Sequence, residues 1–200
     1  STMVSCNGGS NGSATITPAG GSPPYTYSWN TSPIQTDSTA TGLSASIYTG
    51  TVTDNVGCVV SASVTITQPA LLNASITASV NVSCNGACNG SATVSVSGGT
   101  GGYSYSWNTS PVQTTSTATG LCVGSFNVIV NDGNGCSDTA FVAITEPAVL
   151  SNSITGTNIS CNGGANGTAD QTVTGGTAPY TYVWLPGGEI TQDLLNQTAG

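Results

Sequence analysis

The sequence contains no Lys, no Arg and no His in 200 residues. Its acids number only eight, so the formal net charge is −8. A chain without cations cannot neutralise phosphates, which excludes nucleic acid as a partner. The same lack excludes polybasic attachment to anionic lipid. No apolar run approaches the length of a membrane span, so no membrane insertion is expected in this segment. No secretory signal is visible and the first residue is Ser1, so residue 1 is read as something other than a natural N-terminus. General acid–base chemistry draws on His, Lys or paired carboxylates. The first two are missing, and the two glutamates, Glu146 and Glu189, lie far apart in sequence. A Ser–His–Asp set is impossible without His. No catalytic residue and no cofactor is expected, and the chain is not read as an enzyme. The Cys84-x-x-x-Cys88 spacing suits zinc, but a four-ligand set is lacking, so no metal site is expected.

What is present is a sentence written three times. Cys6-Asn-Gly-Gly-Ser-Asn11-Gly-Ser returns as Cys84-Asn-Gly-Ala-Cys-Asn89-Gly-Ser and as Cys161-Asn-Gly-Gly-Ala-Asn166-Gly-Thr. Tyr25-Thr-Tyr27-Ser-Trp29 returns as Tyr103-Ser-Tyr105-Ser-Trp107 and as Tyr180-Thr-Tyr182-Val-Trp184. The offsets 84 − 6 and 107 − 29 are both 78, and 161 − 84 and 184 − 107 are both 77. A fixed period of this length marks a tandem array. The expected domains are residues 1–72, 73–150 and a partial third repeat over 151–200.

Seven cysteines in such a chain point to an oxidising, extracellular or cell-surface setting. Cys6 and Cys58 lie 52 apart, as do Cys84 and Cys136, and each couple brackets one repeat. The spacing predicts Cys6–Cys58 and Cys84–Cys136. The corresponding partner of Cys161 would fall near 161 + 52 = 213, so the odd cysteine is read as a sign of truncation. Cys88 and Cys122 belong to the second repeat alone. Their counterparts are Ser10 and Ser44 in the first repeat, Ala165 and Thr198 in the third. Bonded partners are gained and lost together, which predicts Cys88–Cys122.

Period-two alternation marks strands. Ala92, Val94 and Val96 alternate with Thr93, Ser95 and Ser97; Tyr103, Tyr105 and Trp107 share one face; Phe126, Val128 and Val130 form another inward row. Gly98-Gly99, Asn108-Thr-Ser-Pro111 and Asp132-Gly-Asn-Gly135 punctuate them, and no stretch has a helical period. The fold class expected is all-β: tandem immunoglobulin-like sandwiches with a Trp on a central strand. Thr67-Gln-Pro69-Ala-Leu-Leu72 and Thr145-Glu-Pro147-Ala-Val-Leu150 are short, Pro-stiffened joints, which predicts an elongated, semi-rigid rod. Gln171 stands where Ile16 and Val94 point inward, an anomaly within this pattern.

These residues resemble the SprB-type repeat of Bacteroidota gliding-motility and surface adhesins. The resemblance rests on Ser-Cys-Asn-Gly-x-x-Asn-Gly-Ser-Ala-Thr, Gly-Gly-x-x-x-Tyr-x-Tyr-x-Trp-Asn, Thr-Gly-Leu, Asp-x-x-Gly-Cys and Thr-x-Pro, in two full copies and one partial copy. It implies a very long surface-exposed protein exported by type IX secretion. Ser46 and Gly50 depart from the pattern, where the second repeat has Gly124 and Val128.

Two functions follow from this resemblance and from the array. The segment is a disulfide-stapled stalk or an extracellular filament, with neighbouring copies of itself or other surface or matrix components as partners. The alternative is a carbohydrate-binding module, which needs solvent-exposed aromatics. Asp54-x-x-Gly57 and Asp132-x-x-Gly135 are read as hairpin turns ahead of calcium loops, because one acid per turn is a thin ligand set. Thr15-x-Thr17 and its like are ordinary outward strand threonines. Asp37-Ser38-Thr39 and Asp138-Thr139-Ala140 resemble the Asp-Ser/Thr-apolar O-glycosylation signal of Bacteroidota, so Ser38 and Thr139 are the candidate sites for covalently attached glycans. A sugar coat would help solubilise a surface with only 4% charged residues.

Overall fold

A computed structural model describes residues 1–198. Fourteen strands and no helix occur among the described residues. The protein is all-β, built as tandem immunoglobulin-like repeats. In the first repeat the strands are β1 (Gly12–Thr15), β2 (Thr26–Trp29), β3 (Thr39–Leu43), β4 (Ser46–Thr53) and β5 (Val59–Ile66). In the second they are β6 (Asn73–Val80), β7 (Gly90–Ser97), β8 (Ser104–Trp107), β9 (Thr117–Leu121), β10 (Gly124–Asn131) and β11 (Ser137–Ile144). In the third they are β12 (Ser151–Thr157), β13 (Gly167–Thr174) and β14 (Leu194–Gln197). The sheets run β1-β3, β2-β4-β5, β6-β7-β9, β11-β10-β8 and β12-β13-β14. Two compact units result, and they do not follow the sequence period. One comprises Ser1–Thr77, Val94–Ser116 and Asn127–Phe141. The other comprises Ala78–Thr93, Thr117–Phe126 and the chain from Val142 onward.

The first repeat shows how the alternation becomes a core. Strands β2 and β4 pair antiparallel with Trp29 opposite Gly50 and Tyr27 opposite Val52. The apolar face of that sheet and the β1-β3 ribbon enclose Val4, Ala14, Trp29, Ala40, Leu43 and Ile66. Ile16, Tyr48 and Val64 pack on the edge of this cluster. Burial of such side chains is worth roughly 1.5–3 kcal/mol each against full exposure. Gly50 departs from the repeat pattern for a packing reason: a Cβ there would stand 3.0 Å from the Trp29 ring. The glycine gives the indole its room, and β4 forms across Ser46 and Gly50 all the same. In the second repeat Trp107 faces Val128 in register, and both are buried. The segment Thr-Ala-Thr-Gly-Leu makes β3 and β9 alike, down to the burial of Ala40/Ala118 and Leu43/Leu121.

Among the described residues the third repeat carries one sheet only. Tyr180–Trp184 forms no strand. Gln171, the anomaly of the sequence pattern, lies half-buried on β13. Its side chain lines an open hollow of about 470 Å3 with Leu150, Val173, Tyr180 and Tyr182, not a closed core. Its amide N–H donates to Asp193 Oδ1 at 3.1 Å and its carbonyl accepts from Gln192 Nε2 at 3.0 Å. A polar side chain that is only half-buried and borders an open hollow avoids the cost of full burial.

The joints depend on close backbone approach. Gly99 N–H donates to the Ala70 carbonyl at 2.9 Å, and Leu72 is buried. The second joint repeats this with Gly176 and Ala148 at 2.8 Å. A Cβ on Gly98 would overlap the Leu71 carbonyl oxygen, and the residue sits at φ +71°. Substitution Gly98→Ala is expected to destabilise the fold by about 1–2 kcal/mol from the left-handed backbone alone, with the overlap adding to it. Gly101→Ala, where nothing lies within 4 Å, is the control. Equal melting temperatures of the two variants would contradict this account of the joint.

Candidate functional site: loop and turn cysteines at the joints

The recurring Ser-Cys-Asn-Gly-x-x-Asn loop is held by its own amides. Asn11 Oδ1 accepts from Ser5 N–H at 3.0 Å, and Asn11 Nδ2 donates to Ser5 Oγ at 2.7 Å. Gly9 N–H closes the turn on the Cys6 carbonyl at 3.0 Å. The loop then grips the exit of its own repeat. Asn7 Nδ2 donates to the Pro69 carbonyl at 3.0 Å, and Gly8 N–H donates to Gln68 Oε1 at 2.8 Å. The second repeat copies every contact. Asn89 binds Ser83 at 3.0 and 2.7 Å, Asn85 reaches the Pro147 carbonyl at 3.1 Å, and Gly86 N–H finds Glu146 Oε2 at 2.8 Å. In the third repeat Asn166 binds Ser160 in the same two ways. Gln68 and Glu146 were not singled out by sequence, although both occupy the variable place in Thr-x-Pro.

The Asp-x-x-Gly-Cys turn is the other half of the site. Asp132 Oδ1 accepts from Asn134 N–H and Cys136 N–H, both at 2.9 Å, and Oδ2 accepts from Thr100 N–H at 2.8 Å. Asp54 does the same with Val56 at 3.0 Å, Cys58 at 2.8 Å and Ser22 at 3.0 Å. Each carboxylate clamps its own turn to the Gly-rich loop before the tyrosine strand. The Ser22 amide first, then those of Cys58, Val56 and Gly57, holds the Asp54 carboxyl below its usual range against the opposing pull of burial. For Asp132 the Thr100 amide acts most strongly, again against burial, with Cys136, Asn134 and Gly135 adding to it. These oxygens face hydrogen-bond donors, an arrangement suited to holding an anion in place. Among the described residues no group of three or more His, Cys, Asp or Glu gathers around a common point.

Loop and turn meet at the first joint. Cys6 is bonded to Cys136, with Cα atoms 5.7 Å apart. Asn134 Nδ2 donates to the Ser5 carbonyl at 2.9 Å and to Thr100 Oγ1 at 3.0 Å. The bracketing pairs Cys6–Cys58 and Cys84–Cys136 do not form, and that expectation is corrected. Cys58 stands just before β5, whereas the Cys6 loop docks on Gln68 and Pro69 just beyond the end of β5. Eight residues of strand separate those ends by about 27 Å, against the 7 Å at which a disulfide fails. Cys136 is taken by Cys6, and Cys84 carries a free thiol. Cys88 is bonded to Cys122. Cys58, Cys84 and Cys161 carry exposed free thiols.

The candidate glycan sites differ. Ser38 is exposed in a bend just before β3, though its carbonyl is used by Ile16 N–H at 2.9 Å. Thr139 is half-buried within β11, and the neighbouring Asp138 is occupied by Thr139 N–H at 2.8 Å and Ala74 N–H at 2.7 Å. The aromatic rows turn their polar tips inward. Trp29 Nε1 donates to the Asp37 carbonyl and Trp107 Nε1 to that of Thr115, both at 2.9 Å. Tyr25 and Tyr103 hydroxyls donate to the carbonyls of Gly20 and Gly98 at 3.0 and 2.6 Å. Phe141, by contrast, is 75% exposed on β11.

Two outcomes follow. The folded-state pKa values of Asp54 and Asp132 are depressed, so their contribution to stability is complete above the unfolded value of about 3.9 and is lost as pH falls through the folded value. Melting followed by circular dichroism should hold steady down to about pH 5 and drop below about pH 4. An acid limb left unchanged in Asp54→Asn/Asp132→Asn would contradict the clamp. The Cys88–Cys122 loop is worth about 4 kcal/mol in the chain-entropy model. Removing both cysteines is expected to lower the midpoint, and an unchanged midpoint would show that the bond constrains nothing.

A sequence profile described as the SprB repeat matches three times, over residues 1–33, 76–112 and 153–189. No curated protein matches the chain. Similar solved structures include a Dscam chain from work on isoform specificity, at 17% identity over 72% of this chain, TM-score 0.32. Another is the N-terminal Ig domains of Down Syndrome Cell Adhesion Molecule, at 14% identity over 98% of this chain, TM-score 0.36. A tetra-tandem repeat from the extending region of a large adhesion protein shares 16% identity over 87% of this chain, TM-score 0.26. The chain spans 42%, 30% and 58% of those three chains. The three profile matches together take in just over half of the 200 residues, one in each repeat, and on them the chain belongs to the SprB-repeat family.

Proposed function

We propose that this adhesin-like repeat segment is a load-bearing stalk of a long secreted surface protein, able to assemble into extracellular filaments. The observation that carries the reading is the Cys6–Cys136 bond, which joins the loop of the first repeat to the turn of the second across a sequence separation of 130. A bond within one sandwich would protect one domain. This bond removes residues 7–135 from the path of a pulling force. The loop-to-exit contacts of Asn7 and Asn85 support the same reading, since each ties the entrance of a repeat to its own exit.

On this reading the segment is extracellular, carries no catalysis and holds its adhesive specificity elsewhere. Membership of the SprB-repeat family supports a surface adhesin of gliding Bacteroidota, exported by type IX secretion. Glycan attachment falls to Ser38, the more open of the two acceptors. The alternative, a carbohydrate-binding module, has Phe141 as its only strongly exposed aromatic among the described residues.

Force-extension of the single chain tests the stalk. Oxidised molecules should lengthen by roughly 450 Å less than reduced ones, the contour of about 130 residues at 3.3–3.6 Å each. Equal lengthening in both states would overturn the reading. Saturable binding on a glycan array, lost in Phe141→Ala, would favour the alternative.

A further inference from the structure

Met3 is the sole methionine of the chain, and its sulfur stands where the other repeats carry an amide oxygen. Thr67 N–H donates to Met3 Sδ at 3.2 Å. At the corresponding place in the second repeat, Thr145 N–H donates to Asn81 Oδ1 at 3.0 Å. The backbone around the two contacts matches. Val4 N–H donates to the Thr67 carbonyl at 3.0 Å, and Val82 N–H to the Thr145 carbonyl at 3.2 Å. The third repeat has Asn158 at this position. Sδ of methionine and Oδ1 of asparagine are each two bonds from Cβ, so the same backbone presents either one to the amide. They differ as acceptors, since a thioether sulfur is a weak acceptor and a carboxamide oxygen a full one. The first repeat therefore ties off the end of β5 with the weaker of the two bonds.

Met3 is also open to an oxidant, being 47% exposed. Asn81 is exposed as well, although the whole of β6 precedes it. The exposure thus belongs to the position within the repeat and not to its nearness to Ser1. Thr2, just ahead of Met3, is held to Ser13 by two backbone bonds of 2.8 and 3.1 Å. In a core, sulfoxide formation does damage because an apolar side chain becomes polar. No core is at stake here. Val4 next door enters the apolar cluster and Met3 does not. A position that holds Asn in the next two repeats already accommodates a polar side chain.

We propose that Met3 is an oxidation site whose sulfoxide tightens the exit of the first repeat, giving Thr67 N–H the strong acceptor that Asn81 gives Thr145. The co-reactant is a peroxide, hydrogen peroxide being the simplest. A lone pair of Sδ attacks one peroxide oxygen and the O–O bond breaks. Hydroxide leaves, takes the proton from the new S–OH group and departs as water, and the S=O bond remains. Sulfur is oxidised by two electrons and the peroxide is reduced by two. A methionine side chain has three rotatable bonds, and rotation about Cγ–Sδ turns the new oxygen onto the amide. Thr67 leads directly into Gln68 and Pro69, on which the Cys6 loop is anchored. The stronger bond therefore acts at the seat of the loop that carries the Cys6–Cys136 disulfide. Oxidation, which loosens most methionine contacts, here firms the first joint.

The test uses the full chain, isotope-labelled, with its disulfides intact and the free thiols of Cys58, Cys84 and Cys161 capped by N-ethylmaleimide. Hydrogen peroxide is added, and mass spectrometry locates the oxygen gained. Amide exchange of Thr67 and Thr145 is followed by NMR before and after. The expected result is one oxygen on Met3, with Thr67 exchange slowed about two- to tenfold, the range of one net hydrogen bond, and Thr145 unchanged. Met3→Asn should show the slow exchange without peroxide. Met3→Leu, which has no acceptor, should exchange faster than the untreated chain and ignore peroxide. Asn81→Met should transfer the peroxide response to Thr145. Thr67 exchange that is unchanged or faster once Met3 is oxidised defeats the proposal. So does a Met3 left unoxidised while free methionine in the same tube is consumed.

Discussion

With no side-chain cation in the chain, no carboxylate can be answered by an ion pair with another side chain, and backbone N–H groups take over that task. Asp54 and Asp132 each gather N–H groups from two separate segments, which a lysine or arginine partner would not have done. A mobile ammonium tethers a charge, whereas an amide fixes the chain that carries it. The Asp132 clamp therefore sets the position of Cys136 and of Asn134, and through them the whole first joint. The same constraint explains the exchange of Gln68 for Glu146. Only an acceptor is required opposite the glycine N–H, and an amide oxygen serves as well as a carboxylate. Hydroxyl pairs such as Thr15–Thr39 and Thr93–Thr117 complete a surface that satisfies itself with neutral groups.

Much of the fold was legible because its signals are local. The alternation of Tyr27 and Trp29 with Ser28, and of Ala92 and Val94 with Thr93, follows directly from the two-residue period of a strand. The Thr-Ala-Thr-Gly-Leu segment makes the same strand twice because the same side chains meet the same neighbours. Gln171 looked anomalous because the pattern says which way a residue points but not whether anything covers it. Tyr180–Trp184 fails for a related reason: a strand exists only where another strand takes up its hydrogen bonds, and sequence alternation does not supply that partner.

The cysteines show where legibility ended. Equal spacing correctly grouped Cys6 with Cys84 and Cys58 with Cys136, since these are loop and turn cysteines of successive repeats. It was wrong about who bonds whom, because spacing along the chain carries no information about the ends of a sandwich. Strand polarity does carry it. Cys6 precedes the first strand and its loop folds onto the exit after the last, while Cys58 stands just before that last strand, at its opposite end. The signal that could have found the bond is the polar code around it: the Asn that caps the loop, the acceptor before Pro69, and Asp-x-x-Gly before the turn cysteine. None of these residues is apolar, so the periodicity that revealed the core is silent about them.

A staple between different surfaces has a direction, and direction is what an array of repeats needs. If each domain closed its own loop with its own turn, every domain would be self-sufficient and the joint would rest on one backbone strand and a few hydrogen bonds. Placing the loop cysteine at the exit end of its repeat and the turn cysteine at the entrance end of the next moves the covalent bond to the joint, where an isolated sandwich is weakest. The Asn locks and Asp clamps then have a purpose beyond local order: they fix the two thiol-bearing segments that meet at the joint. Preorganisation of this kind lowers the cost of forming each joint. It also makes the joint selective, because a loop cysteine presented on one end surface matches a turn cysteine on the other and not a second loop.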